Sequence, residues 1–454
     1  MSETLSTRKP VLRELGEVIW LSLPIIITMT SHAFMQSVDA LMLGRHSSDE
    51  MAAVSPAGML YFIFAAALIG LISCNNTFVS QSIGRGEFKE CSRYTVHAIY
   101  IAVMVQPLVI PLIIWSDSIF ALLPHEQHIQ VLESSYFRIR LMQLTSAGTV
   151  IALSSFFQAS GKPVIPMITG IIANALNILG DYILIFGNWG FPEMGIRGAA
   201  WATTACSYVE AAMLCGIFLS SVYNKKYETR RWLPVDFHRI WRLLRIGIPS
   251  GTNHALDIVS WSVYVTIVLG RLGTTVLAGF TAAMQILHLP FMLTIGLSIG
   301  VTALVGRYVG RKDIAGAKRQ AYLGMGIACS YMTVLVVTTV IFRRPLLQLF
   351  SEKPEVIRVG SIIIMYFALF QFSEALGMIS RAALQGAGDT KFPAIALPLV
   401  AFLFFLPLGF YIGRQDVWGL HGCWIATTAY AWIVNAILLW RFISERWRKI
   451  DIFK

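Results

Sequence analysis

Long apolar runs constrain this chain more than any other feature of its sequence. About twelve of them follow one another, near residues 16–41, 53–79, 94–115, 137–158, 164–186, 198–222, 246–269, 276–304, 320–341, 359–383, 393–413 and 420–441. An apolar run of about 20 residues is long enough to cross a bilayer as a helix, and only 13% of the residues are charged. The sequence therefore predicts an all-α polytopic membrane protein with about twelve transmembrane helices.

Basic residues alternate between the loops that join these runs. The net charge of +11 could indicate a nucleic-acid partner, but the distribution of the charge argues against one. If the N-terminus is cytoplasmic, 26 Lys and Arg residues fall on the inside and 8 on the outside, while Arg138 and Arg140 lie at a helix mouth. The positive-inside rule then places both termini in the cytoplasm. We expect an integral membrane protein, embedded in lipid, with no nucleic-acid partner.

Short landmarks recur in the two halves of the chain at a separation of about 225 residues, which indicates an internal repeat. The paired segments are Pro24 and Pro249, Gly84 to Gly86 and Gly310 to Lys312, Gln158 to Pro163 and Gln385 to Lys391, and Gly195 to Thr204 and Gly419 to Thr428. Six helices per half start both halves on the same side, so the repeats are parallel. We expect an N-lobe (1–222), a basic cytoplasmic linker (223–245) and a C-lobe (246–454) around a central cavity.

Acidic residues inside the predicted spans carry the main functional signal. Asn177 and Asp181 lie four residues apart on one face of the fifth helix, and Asp39 lies at a similar depth in the first. The second half contributes Asp257 and Glu374. Such residues are expected to face protein or water, because a carboxylate facing lipid is costly. With no comparable set of buried bases, they should resist ionising and hold a proton or a cation.

These acids also have structural explanations, which remain open. The N-lobe residues could form only a hydrogen-bonded network between helices. His254, one turn from Asp257, could satisfy that carboxylate, and Arg381 could pair with Glu374.

An enzyme is not expected. Gly296, Ser298 and Gly300 match the nucleophile-elbow pattern, but that chemistry needs a strand-to-helix turn. In an apolar helix the same glycines indicate close helix packing. Six scattered cysteines without CxxC spacing argue against a metal cluster or a disulfide framework. We expect no cofactor.

Several motifs together resemble those of the multidrug and toxic compound extrusion (MATE) family over nearly the whole chain. The residues that carry the resemblance are Gly16 and Pro24, Val38 and Asp39 with Gly44 and Arg45, Gly84 to Gly86, Gln158 with Gly161 and Pro163, Asn177 and Asp181, and Gly195 to Thr204. The resemblance implies a monomeric secondary active exporter that works by alternating access. It would move amphipathic, often cationic, compounds outward against inward sodium ions or protons.

The resemblance also implies roles for particular residues. The N-lobe cation site would comprise Asp39, Asn177, Asp181, Thr203 and the Ala199 carbonyl, and a sodium ion would be held by the first three of these.

In the C-lobe, Asp257 stands where bacterial members often carry Glu, and Glu374 stands where they often carry Asp. Both would serve coupling or substrate binding, as would Gln285. Pro24 is a ready hinge for bending the first helix. The alternative is a flippase for lipid-linked oligosaccharide or another amphipathic lipid, which would favour buried Arg or Lys to hold a pyrophosphate.

Overall fold

Helices make up nearly all of the protein. The structure, a computed structural model, describes residues 2–231, 234–414 and 416–454, with side chains described from residue 12 onward except at 289. The α-helices are α1 (Ser2–His46), α2 (Ser48–Ser73), α3 (Asn75–Arg85), α4 (Phe88–Ile114), α5 (Ser116–Phe120), α6 (Gln127–Met142), α7 (Leu144–Ala159), α8 (Val164–Phe186), α9 (Ile196–Phe218), α10 (Ser221–Tyr227), α11 (Phe237–Val263), α12 (Thr274–Gly310), α13 (Ile314–Ile341), α14 (Arg343–Gln348), α15 (Pro354–Gly386), α16 (Lys391–Val400), α17 (Leu406–Ile412) and α18 (Gly419–Ile443). Two π-helical segments, Tyr264–Leu269 and Ala401–Phe405, extend α11 and join α16 to α17. Single 3-10 turns occur at Asn188–Gly190, Gly270–Leu272 and Arg446–Lys449.

Each of the twelve predicted runs overlaps a helix. Ten helical segments of the described chain are long and apolar enough to cross a membrane, and α9 with α10, which meet at a bend of 62°, would make an eleventh. The predicted run at 137–158 is divided between α6 and α7, and α7 has only 16 residues. The predicted all-α membrane architecture is confirmed.

The internal repeat is visible in the backbone. Positive φ angles occur at Gly86 and Lys312, at Gly161 and Gly388, and at Gly195 and Gly419. Each pair is separated by about 225 residues, the spacing of the repeat. The residues of the first two pairs follow the end of a helix, where a left-handed residue turns the last carbonyl groups toward local donors, and Gly195 and Gly419 stand at the start of α9 and α18. The two halves therefore break their helices at matching positions.

The chain forms two compact units. The C-terminal unit contains Thr252–Ile452 and the chain up to Ile26, and the N-terminal unit contains Ile27–Gly251 with Phe453–Lys454. Helices α1 and α11 each change unit part-way along their length, two residues after Pro24 and two residues after Pro249. The compact units are defined by packing, whereas the predicted lobes at 1–222 and 246–454 are defined by the order of the spans. The lobe boundaries therefore stay a prediction.

Ion pairs help to assign the first halves of α1 and α11 to their units. In the C-terminal unit, Glu14 of α1 pairs with Arg319 of α13 at 2.5 Å. In the N-terminal unit, Arg239 of α11 pairs with Glu90 of α4 at 3.3 Å. Much of the predicted linker is helical, because α10 and the start of α11 lie within it.

Small residues allow α1 and α12 to pack closely in the C-terminal unit. A Cβ on Gly296 would lie 2.6 Å from Ile26 Cγ1 and 2.8 Å from the Ile26 backbone nitrogen. A Cβ on Gly300 would lie 2.3 Å from Ser22 Oγ. These glycines pack helix against helix, and α12 offers no strand-to-helix turn for a nucleophile at Ser298.

Gly296→Ala is expected to lower the stability of the protein by about 1–3 kcal/mol, because the added methyl group meets the backbone at Ile26 and forces the helices apart. Thermal unfolding in detergent micelles measures the loss. Gly326→Ala on α13 is the matched control, since a Cβ at Gly326 meets nothing within 4 Å. Equal melting temperatures for the two variants would show that the α1–α12 contact is not tight.

Candidate functional site

Three helices of the N-terminal unit bring the predicted N-lobe residues together. Asp39 lies on α1, Asn177 and Asp181 on α8, and Ala199 and Thr203 on α9. Helices α8 and α9 approach closely at two glycines. A Cβ on Gly198 would lie 2.5 Å from the Leu184 carbonyl oxygen, and a Cβ on Gly180 would lie 3.1 Å from Ala202 Cβ. This close packing places the polar face of α8 against Thr203.

Hydrogen bonds link the amide, the hydroxyl and one carboxylate of this cluster. With its amide oriented to satisfy both neighbours, Asn177 donates to Asp39 Oδ1 at 3.1 Å and accepts from the Thr203 backbone N–H at 3.2 Å. The Thr203 hydroxyl donates to the Ala199 carbonyl at 2.9 Å. The Ala199 carbonyl therefore already has a hydrogen-bond partner within its own helix.

The carboxyl groups of Asp39 and Asp181 are close enough to interact directly with each other. Asp181 is completely buried, and among the described residues no N–H or O–H group donates to either of its carboxylate oxygens. An ionised carboxylate can only accept hydrogen bonds, so two carboxyl groups bond each other only when one of them carries a proton. The arrangement of the pair is compatible with one shared proton.

A half-buried base lies near this pair, where the sequence predicted none. Arg140 of α6, assigned to a helix mouth, is close enough to interact electrostatically with both Asp39 and Asp181. Its guanidinium carbon lies 4.6 Å from the centre of the Tyr61 ring. The expectation failed because a long arginine side chain can carry its charge well away from its own backbone position. Within the described part of the chain, no ion pair at 4 Å or less joins Arg140 to either acid.

The C-terminal unit holds a second polar site. Asp257, Glu374 and Arg381 line one cavity of about 20 Å³, which has room for about one water molecule. Its other lining residues are Trp261, Gly377, Met378, Leu397, Tyr430, Ala431, Val434 and Leu438. Arg381 interacts electrostatically with both acids. Gln285 is exposed and is not among the residues that line this cavity, and its role stays a prediction.

Two further ionisable residues of the N-terminal unit escaped attention in the sequence. Glu210 of α9 is only 6% exposed, and His32 of α1 is half-buried. His32 lies seven residues before Asp39, and Glu210 lies seven residues after Thr203. Seven residues make almost two helical turns, so this spacing could have placed them on the same helix faces as the predicted N-lobe site residues.

The chain matches known proteins over most of its length. The MatE family model matches residues 24–183 and 255–411. A probable multidrug resistance protein NorM of Thermotoga maritima is 26% identical over 95% of this chain and 93% of its own. The multidrug resistance protein PmpM of Pseudomonas aeruginosa is 28% identical over 90% of this chain and 87% of its own.

Solved structures share the fold. The crystal structure of the eukaryotic MATE transporter AtDTX14 superposes with a TM-score of 0.86 at 18% identity and covers 97% of both chains. An outward-facing multidrug resistance MATE family transporter of the MOP superfamily gives a TM-score of 0.86 at 20% identity, covering 96% of this chain and 97% of its own. At these identities the structural likeness concerns the fold alone.

Proposed function

Because the chain belongs to the MatE family, we propose that it is a proton-driven exporter of amphipathic, often cationic, organic compounds. It acts as a monomer in a bacterial inner membrane with both termini in the cytoplasm. Protons flow inward through the N-lobe while the compound leaves the cell. The names of its relatives, multidrug resistance proteins of the NorM and PmpM type, support this class of cargo.

One observation carries the proposal: the buried contact between the carboxyl groups of Asp39 and Asp181. A carboxyl pair in a low-dielectric site resists holding two negative charges, so proton loading and release become linked to how open the site is to water. Such linkage is what a coupled transporter needs, because the ion must bind on one side of the membrane and leave on the other.

The hydrogen bonds favour a proton over a sodium ion at this site. A sodium ion would need several oxygen atoms directed at it. Here the Asn177 amide directs an N–H at Asp39, and its oxygen accepts from the Thr203 backbone. The Ala199 carbonyl is taken by the Thr203 hydroxyl. The nearby positive charge of Arg140 further opposes a metal cation.

Bending of two helices would convert proton binding into movement. Proton uptake at Asp39 and Asp181 would neutralise the pair and change the packing around the second half of α1. Pro24 and Pro249 stand where α1 and α11 pass from one compact unit to the other. In this proposal they are the hinges, and Asp257 and Glu374 hold a second proton or the positive charge of the cargo. Gln285, an exposed residue of α12, would bind cargo.

Charge balance separates an exporter from the alternative flippase. The flippase requires buried bases, and the structure has Arg140 and Arg381 inside the two units. Each of these arginines lies near two carboxyl groups, however, so neither site offers a net positive charge to a pyrophosphate. The balance supports a cationic cargo.

Transport by the purified protein in proteoliposomes tests the proposal. A fluorescent organic cation serves as cargo, and a pH gradient and a sodium gradient are imposed in separate experiments. We expect uphill cargo movement with the pH gradient and none with the sodium gradient at constant pH. Movement driven only by sodium would contradict proton coupling, and translocation of a lipid pyrophosphate with no movement of the cation would establish the flippase instead.

A further inference from the structure

We propose that Glu210 and His32 form a second proton-binding station in the N-lobe, on the cytoplasmic side of Asp39 and Asp181, from which the coupling proton leaves for the cytoplasm. The inference rests on the proposed proton-driven export. It adds a specific exit site for the proton, with a test of its own.

Glu210 is a buried acid without a partner. The residue is only 6% exposed. Its side chain projects from α9 toward α8, and its Oε1 lies 3.4 Å from the position that a Cβ on Gly170 would occupy. Among the residues with described side chains, none forms an ion pair or a hydrogen bond with this carboxyl group, and burial alone acts on its charge. A lone acid kept in such a site is a functional candidate, because its burial is costly.

His32 shares that location. Its Nε2 lies 3.9 Å from the same Cβ position on Gly170, and Thr28 Cγ2 lies 3.3 Å from it. The imidazole and the carboxyl group therefore flank one small space that only a glycine leaves open. The Asn174 side chain interacts with the imidazole and donates to Ser31 Oγ at 2.8 Å, so the ring is positioned by a polar neighbour.

The two stations repeat the same arrangement on the same three helices. His32 precedes Asp39 by seven residues, Gly170 and Asn174 precede Asn177 and Asp181 on α8, and Glu210 follows Thr203 by seven residues. Seven residues rise about 10 Å along a helix. With the N-terminus cytoplasmic, α1 and α8 run outward and α9 runs inward. All three helices therefore place the second station nearer the cytoplasm.

The chemistry of the second station suits a proton. A neutral imidazole accepts a proton at one nitrogen and donates from the other, and a carboxylate accepts one. The three atoms nearest to a Cβ on Gly170 belong to Thr28 and His32 of α1 and to Glu210 of α9. This set has too few oxygen atoms to enclose a sodium ion.

Each transfer is a simple acid–base step. The acid formed at Asp39 or Asp181 loses its proton, which binds to a Glu210 oxygen or a His32 nitrogen, and a carboxylate remains behind to be protonated again from outside. No electrons are transferred. Because about 10 Å is too long for a direct transfer, the step requires water between the stations during turnover, next to the polar groups of Ser31 and Asn174.

Glu210→Gln and His32→Gln test the second station in full-length protein reconstituted into proteoliposomes, with ethidium as cargo. Both variants are expected to slow export driven by a pH gradient by at least about tenfold. Ethidium binding, measured by quenching of tryptophan fluorescence, and ethidium exchange without any gradient should stay within about twofold of the original values. Equal losses of binding and export would show a structural role and would overturn the inference.

Glycine substitutions give a second measurement that keeps both ionisable groups. Gly170→Ala puts a methyl group between the carboxyl group and the imidazole, and we expect it to slow proton-driven export several-fold with ethidium binding unchanged. Gly216→Ala on α9 is the matched control, because a Cβ there meets nothing within 4 Å. Identical export rates for these two variants would count against the station.

The Asp39→Asn variant separates this inference from the function on which it rests. If Asp39→Asn loses proton-driven export while Glu210→Gln and His32→Gln keep it, the second station is wrong and the exporter stands. If Asp39→Asn keeps proton-driven export, the proposed coupling itself is wrong.

Discussion

Asp39→Asn and Asp181→Asn are each expected to reduce proton-driven export by about a hundredfold or more. An asparagine cannot take up and release a proton, so the carboxyl pair loses the state change that links proton flow to transport. The remaining acid would also face Arg140 alone, which favours a permanent ion pair in place of a reversible proton site. Everted membrane vesicles, energised to acidify their interior, measure the uptake of a fluorescent organic cation by each variant.

Asp49→Asn is the control for these two variants. Asp49 lies in the first turn of α2, and its side chain is 59% exposed. Its replacement also removes one carboxylate from the N-terminal unit but leaves the pair intact, so export should be unchanged. Binding of the organic cation should survive in all three variants. Full proton-driven export by both Asp39→Asn and Asp181→Asn would refute the coupling mechanism.

Pro24→Ala and Pro249→Ala are expected to lower the rate of export by about tenfold while leaving cargo binding within about twofold. A proline inside a helix lacks the N–H that would bond to the carbonyl four residues earlier, and this lets the helix bend there. Each proline lies two residues before the point where its helix passes from one compact unit to the other. Alanine would restore the missing hydrogen bond and stiffen the helix at the hinge.

Thermal stability distinguishes a stiffened hinge from damage to the fold. Because alanine adds a hydrogen bond, each variant should unfold at the same temperature as the original protein or higher. Pro111→Ala is the matched control, since Pro111 is an exposed proline inside α4 and lies away from both points of division. A lower melting temperature for Pro24→Ala, with export reduced in proportion, would assign the proline a structural role.

These two sets of variants test different parts of one cycle. The aspartate variants remove the group that senses the proton, and the proline variants remove the flexibility through which its state would move the lobes. In the proposed cycle, both lose export and keep cargo binding. The proline variants should slow export and its coupled proton movement in the same proportion, whereas the aspartate variants should lose proton movement in response to cargo altogether. A pH-sensitive dye inside proteoliposomes records the difference.

The linear sequence was sufficient for the spans, the repeat and the identity of the N-lobe acids. Bilayer thickness fixes the length of an apolar run, so the runs predicted the helices without knowledge of their packing. The repeat left matching residues such as Gly195 and Gly419, glycines that adopt positive φ angles at the start of α9 and α18. The four-residue spacing of Asn177 and Asp181 fixed a common helix face, since that follows from helix geometry alone.

Only the tertiary structure decided which charges meet. Arg140 reaches the aspartate pair because a long side chain follows the packing of α6 against its neighbours, which no periodicity within α6 encodes. The approach of Glu210 and His32 to one position likewise depends on close packing at Gly170, where three helices converge. The change of unit within α1 and α11 was also hidden, because hydropathy reports how apolar a helix is and not which helices it packs against. Contacts between residues far apart in sequence arise from side-chain reach and helix packing, and those properties decided the chemistry of the site.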